Sequence, residues 1–208
     1  MTAILKNKVR VLTTTEYEAL LSVITKPSLK KLVEVMLLTG MRYAEILRLK
    51  KYPQCFDPVR KVIHFKSGKK AAVQTERYIH LTPAGVIAVK ALIEDARENP
   101  FPATGGMTLN LERWSALAGL EPSPELQGPV CVKGHNAGME RKNTWGMSVK
   151  TFRKTWESWL AVSYPYKLDL IALSQGHLTG TAIAHYLAVP FSEEERAQIL
   201  PYTAGWMA

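Results

Sequence analysis

The ten residues Leu29 to Leu38 read LKKLVEVMLL, and Thr39, Gly40, Met41 and Arg42 follow. A run this apolar predicts a buried helix. Pro27 and Ser28 interrupt the chain before it, with Ser28 as a candidate cap, and Gly40 ends it. Arg42 then stands at the mouth of the turn that closes a buried helix. A guanidinium in such a place is costly unless an anion meets it. Either Glu45, three residues on, satisfies Arg42 and the pair is structural, or Arg42 is kept for an anion from outside.

The remaining periodicity sets the class. Thr15 to Glu18 has the form of a capping box, opening a helix through about Ile24. A third helix is expected from about Arg42 to Lys50. The period then shortens: KVIHF and ERYIHL are β-rich runs separated by KSGKKAAVQT, the pattern of a hairpin. Thr82 and Pro83 start a helix to about Glu98, and another covers about Leu109 to Leu117. Glu121 to Gly146 is rich in Pro, Gly and Asn and reads as a long irregular segment. A strong helix is expected over Ser148 to Val162. Shorter ones follow at Leu168–Leu173, Thr179–Leu187 and Ser192–Leu200, the last opened by a second capping box, Ser192 to Glu195. The fold class is mainly α with a small β-hairpin or sheet (α+β).

Charge narrows the function. Lys and Arg number 27 against 18 Asp and Glu, a formal net charge of +9 over 208 residues. An excess of this size favours a polyanion, nucleic acid before an acidic membrane surface. The two cysteines, Cys55 and Cys131, form no disulfide framework and no zinc-ligand spacing. The N-terminus has no signal-peptide pattern and no apolar run approaches a membrane span. A soluble, cytoplasmic, nucleoid-associated protein is expected.

Four further places carry candidate chemistry. Lys66 closes the first strand of the hairpin, with Lys69 and Lys70 beyond it. Lys150 and Arg153, three apart, share a helical face opposite Phe152, Trp156 and Trp159; that face is either a phosphate clamp or a solvated basic stripe. His177 follows Gly176 in SQGHLTGTAIAHYL, and Tyr186 lies nine residues later on the next helix. Taken one by one, each has an ordinary structural explanation. Together they offer phosphodiester transfer its parts: guanidiniums for the non-bridging oxygens, a tyrosine to attack phosphorus, and a lysine or histidine to protonate the departing alkoxide. The sequence offers no Asp/Glu cluster for Mg²⁺, and neither a metal nor a cofactor is expected.

In this order the motifs resemble the catalytic domain of the tyrosine recombinases, the phage-integrase family. TGMRYAEIL resembles the family's T-G-x-R-x-x-E-L, which implies Arg42 as first arginine and Glu45 as the acid orienting it. The hairpin VIHFKSGKK…ERYIHLT resembles the family's hairpin with Lys-Thr-Gly at the end of its first strand, which implies Lys66 as the lysine and puts Ser67 in place of the threonine. KTFRKT resembles H-x-L-R-H-T and implies Arg153 as second arginine. SQGHLTGTAIAHY resembles L-G-H-x-x-x-x-T-x-x-Y and implies His177 and the nucleophile Tyr186. The resemblance runs from about Leu12 to the C-terminus.

Two departures shape the expectation. Lys150 stands where the family has histidine, as in archaeal virus and plasmid integrases; an ammonium suits a phosphate clamp better than a general base. The chain also starts almost at the catalytic domain, so residues 1–208 are expected as a single catalytic domain without the family's N-terminal DNA clamp. Residues 187–208 form a tail that could close as a lid or dock on a neighbouring copy. The implied function is a site-specific DNA recombinase or integrase acting through a 3′-phosphotyrosine. A type IB topoisomerase, a telomere resolvase or a non-cutting DNA-binding relative are the alternatives. Double-stranded DNA is the expected partner, contacted through Lys69, Lys70, Lys133, Arg141 and Lys142, with self-association into a dimer or tetramer on DNA and no membrane.

Overall fold

The structure, a computed structural model, describes residues 3–65, 77–95, 101–127 and 143–207. Its elements in order are β1 (Ile4–Lys6), β2 (Val9–Val11), α1 (Thr14–Ser22), α2 (Pro27–Thr39), α3 (Tyr43–Lys51), β3 (Phe56–Asp57), β4 (Val62–Phe65), β5 (Arg77–His80), α4 (Pro83–Asp95), α5 (Thr104–Leu117), α6 (Val149–Ser163), α7 (Leu168–Gln175), α8 (Thr179–His185) and α9 (Glu193–Thr203). β1 and β2 form one antiparallel hairpin; β3, β4 and β5 form a second antiparallel sheet in that order. Among the described residues no helix is long and apolar enough to cross a membrane.

Two helices organise the core. Leu32, Val33, Val35, Met36 and Leu37 of α2 have no exposed surface, as the density of apolar residues requires. Each such side chain contributes on the order of 1.5–3 kcal/mol by leaving water. α2 packs against α4 on one side and α6 on the other. On α6, Phe152, Trp156 and Trp159 are also fully buried, at helical spacing. The opposite face of α6 is polar and nonetheless buried: Arg153, Lys154, Thr155, Glu157 and Ser158 are all at most 5% exposed. Buried polar groups need partners, and these find them in other elements. Thr155 Oγ1 accepts from Leu12 N–H at 2.9 Å, and Ser158 Oγ accepts from Ala188 N–H at 3.0 Å. A solvated basic stripe on α6 is therefore excluded for Arg153, while Lys150, in the first turn, is exposed.

Gly40 is the junction of the two helices. It caps α2 with φ +60°, and a Cβ there would lie 2.7 Å from Trp156 Cδ1 and 2.9 Å from Gln175 Oε1. Only glycine permits both the left-handed turn and the approach.

Several local expectations shift. The first capping box uses Thr13 and Glu16, not Thr15 and Glu18: Thr13 Oγ1 accepts from Glu16 N–H at 3.2 Å, and Glu16 Oε2 from Thr13 N–H at 3.0 Å. The sequence contains two overlapping boxes, and tertiary contacts choose between them. Glu16 is held by the buried Arg10, 2.5 Å away, while Glu18 accepts from Tyr202 Oη at 2.7 Å. Ser28 is not a cap; Lys26 holds that position and Pro27 opens α2. The β1–β2 hairpin has three-residue strands, too short to show a period in the sequence. α5 begins at Thr104, a turn and more before Leu109. α9 runs on through Pro201 to Thr203, because contacts beyond the proline hold the chain in place. Tyr164 Oη donates to Thr203 O at 2.9 Å, and Trp206 Nε1 donates to His80 O at 3.0 Å. Phe191, Ile199 and Trp206 of the tail are buried on their own chain, against the core that contains α6.

Candidate active site

Arg42 is the N-cap of α3, and its backbone N–H donates to Glu45 Oε2 at 2.8 Å. Its guanidinium lies 3.0 Å from Glu45 Oε1, with 43% of the side chain exposed. Glu45 has a second claimant. Arg77, at the start of β5 and 5% exposed, places Nη2 2.5 Å from Glu45 Oε2. Its Nη1 donates to the carbonyl of Gln175. One carboxylate thus serves two guanidiniums, leaving Arg42 incompletely neutralised on its exposed side. Burial, opposed by Glu45 and assisted by Arg153 and Arg42, pulls the Arg77 pKa down to about 10.

Arg153 is 3% exposed and reaches the same junction from α6. Nη1 donates to Gly40 O at 3.1 Å, and Nη2 donates to Gln175 O. Its Nε lies 3.0 Å from Glu157 Oε1, an ion pair by distance although the N–H is not aligned as a hydrogen bond. Burial lowers its pKa too, with Glu157 opposing. Gln175 is the keystone: its carbonyl receives both buried arginines, while its Nε2 donates to Thr39 O at 3.2 Å.

Glu157, fully buried, also takes His177, whose Nε2 lies 3.1 Å from Oε1. The His177 ring stacks on Tyr186, centroids 4.6 Å apart and planes 15° off parallel. The Arg153 guanidinium carbon is 5.4 Å from the same phenol ring and Lys154 Nζ 5.8 Å from it. Tyr186 itself is the C-cap of α8. Arg42, Lys150, Arg153, Lys154 and Tyr186 line one cleft of about 530 Å³.

The structure therefore brings together Arg42, Glu45, Lys150, Arg153, His177 and Tyr186, from elements far apart in the chain. Lys66, Lys69, Lys70, Lys133, Arg141 and Lys142 lie outside the described residues. Sequence reasoning missed Arg77, Lys154, Glu157 and Gln175. Glu157 had a signal, lying four residues after Arg153 on the same helix face. Arg77 and Gln175 had none, since only the fold sets β5 beside α7.

Chemically, the cleft sets four cationic side chains beside a phenol. Arg42, Arg153, Lys150 and Lys154 face it, and the carboxylates Glu45 and Glu157 sit behind the arginines rather than among them.

The fold is α+β, mostly helical with small antiparallel sheets, and it is similar to that of a solved recombinase. Four solved chains match it. One is the XerA recombinase, which superposes with a TM-score of 0.61 over 93% of this chain at 14% sequence identity. This chain spans 64% of the XerA chain's length. No protein-family model matches the sequence, and no curated protein does.

Proposed function

We propose that this chain is a DNA strand transferase of the tyrosine recombinase type. The observation that carries the reading is the position of Tyr186, stacked on His177, beside Arg153, at the edge of a cleft shared with Arg42 and Lys150. Arg42 and Arg153 hold the two non-bridging oxygens of the scissile phosphate, and Lys150 adds a third positive charge. The phenol oxygen of Tyr186 attacks phosphorus, forming a 3′-phosphotyrosyl bond as the bond to the 5′-oxygen breaks. The phenol gives up its proton to solvent water in the open cleft, and the departing 5′-oxygen takes one from the ammonium of Lys66. A second 5′-hydroxyl then attacks the phosphotyrosine and reverses the chemistry, so the energy of the cut bond is kept. Duplex DNA is the partner, and two or more copies of the chain assemble on it for strand exchange. The lysine at position 150 favours an integrase of the kind found in archaeal mobile elements.

The test is a duplex nicked close to the cut, incubated with the full chain and run on a denaturing gel. A protein–DNA adduct that Tyr186→Phe fails to form supports the reading. Binding without any adduct would overturn it in favour of a non-cutting DNA-binding protein. Relaxation of supercoiled plasmid with no demand on sequence would redirect it to a topoisomerase.

A further inference from the structure

The helix that presents Tyr186 has little of its own to hold it. α8 has seven residues, of which only Ala182 is buried. A helix that short is not stable by itself. On one side Thr179 Oγ1 donates to Asp169. At its C-terminal end the support comes from the tip of the β1–β2 hairpin. Lys6 Nζ donates to Ile183 O at 3.1 Å. Asn7 Nδ2 donates to His185 O at 3.5 Å and lies 3.3 Å from His185 Nδ1. These carbonyls are in the last turn, where a helix leaves acceptors unfilled and where a cation is favoured.

The tip is tied to the core in turn. Lys154 Nζ, on α6, donates to Lys6 O at 2.7 Å. Lys154 is 5% exposed and its ammonium lies 5.8 Å from the Tyr186 ring. The turn residues Asn7 and Lys8 have φ of 49° and 62°, the geometry of a tight two-residue hairpin turn that fixes where the tip points. α6, the hairpin tip and the end of α8 thus form a continuous bridge under the phenol.

We propose that the hairpin tip is a latch for the nucleophile, with Lys154 as its positioning residue. Lys154 holds the carbonyl of Lys6, and Lys6 and Asn7 hold the last carbonyls of α8, so that Tyr186 stays docked in the cleft of its own chain. The inference rests on the reading of Tyr186 as nucleophile. Opening the latch frees α8 as a unit and withdraws the phenol from Arg153 and His177. The groups facing the Lys154 ammonium are Lys150 and Glu157 on α6, Lys6 on β1 and the Tyr186 ring. A lysine is kept in so buried a place because the Lys6 carbonyl receives it.

Hydrogen exchange followed by mass spectrometry on the full chain, without DNA, tests the latch. Asn7→Gly keeps the turn's positive φ and removes the amide; Lys154→Met removes the ammonium and keeps the stem. In both, the amides of Ala182, Tyr186 and Leu187, which bond within α8, should exchange about tenfold faster or more, as expected for losing a bond that holds a marginal unit. Protection in α2 and in the middle of α6 should be unchanged. Unchanged exchange in α8, or equal loss throughout α2 and α6, overturns the proposal. Adduct formation should slow in both variants in proportion to the docked population lost. If the parent forms no adduct, the reading of Tyr186 fails, while the exchange result still decides whether the hairpin latches α8.

Discussion

The ring of His177 lies against that of Tyr186, 4.6 Å between centroids and 15° from parallel, while its Nε2 is engaged by the fully buried Glu157. The histidine is therefore fixed from behind by a carboxylate and offers its face to the phenol. Glu157 also lies against Arg153, so one buried acid places two of the groups around Tyr186.

Tyr186→Phe removes the phenolic oxygen and leaves the ring to stack on His177. Binding of duplex DNA should stay near the parent's, and the covalent adduct should vanish. A nicked-duplex assay beside a filter-binding assay checks both; an adduct that persists in the Phe variant excludes Tyr186 as nucleophile.

The two arginines should separate in stability though not in activity. Arg42→Ala and Arg153→Ala should each slow cleavage by about 10²-fold or more, the scale of removing one oxyanion donor. Arg42 is 43% exposed, and its loss should cost stability no more than about 1 kcal/mol. Arg153→Ala leaves the buried Glu157 with His177 alone beside it, and should cost more, on the order of 3 kcal/mol. Urea denaturation of the two variants reads the difference.

Gly40→Ala should destabilise the fold even though it adds one methyl group. The residue has φ +60°, and the new Cβ meets Trp156 Cδ1 at 2.7 Å. The left-handed backbone alone costs roughly 1–2 kcal/mol, and Trp156 cannot yield in a packed core. The shift also moves Gly40 O, which receives Arg153, so cleavage should slow in protein that remains folded. A denaturation midpoint equal to the parent's would contradict this packing of Gly40 against Trp156.

Lys154 gives a pH signature of defined sign. Burial first, then Lys150 and Lys6, lower its pKa from 10.5 to about 8, with Glu157 opposing. Below pH 8 both folded and unfolded chains hold the proton, and the cost of the buried ammonium is paid in full. Between pH 8 and 10.5 the folded chain has released it and the unfolded chain has not, so stability gains with rising pH. The unfolding free energy of the parent relative to Lys154→Met should therefore increase from pH 7 to pH 10. A flat difference across that range would mean the ammonium is not desolvated.

Lys66→Ala should lose cleavage of ordinary DNA and regain it on a substrate with sulfur as the leaving 5′-atom, because a thiolate departs without a proton. Rescue by the sulfur substrate in Lys69→Ala or Lys70→Ala, and not in Lys66→Ala, would make that lysine the general acid instead.

Local sequence is enough to set the helices with strong periodicity and clear ends. α2 stops at Gly40, α6 starts at Ser148, and α9 starts at its Ser192–Glu195 box, all as local chemistry dictates. It also singled out Arg42, Glu45, Lys150, Arg153, His177 and Tyr186, because motif spacing is a property of the chain. Long-range packing settles which side of each ambiguity wins. Thr13 caps α1 rather than Thr15 because Arg10 and Tyr202 divide Glu16 and Glu18 between them. The polar face of α6 is buried rather than solvated because Gly40, Gln175 and Lys6 bring carbonyls to it from remote segments. Arg77, Gln175 and the β1–β2 tip enter the site for the same reason. A hydrogen bond between residues a hundred positions apart leaves no period in the sequence; it exists only once the core has brought the two strands of chain together.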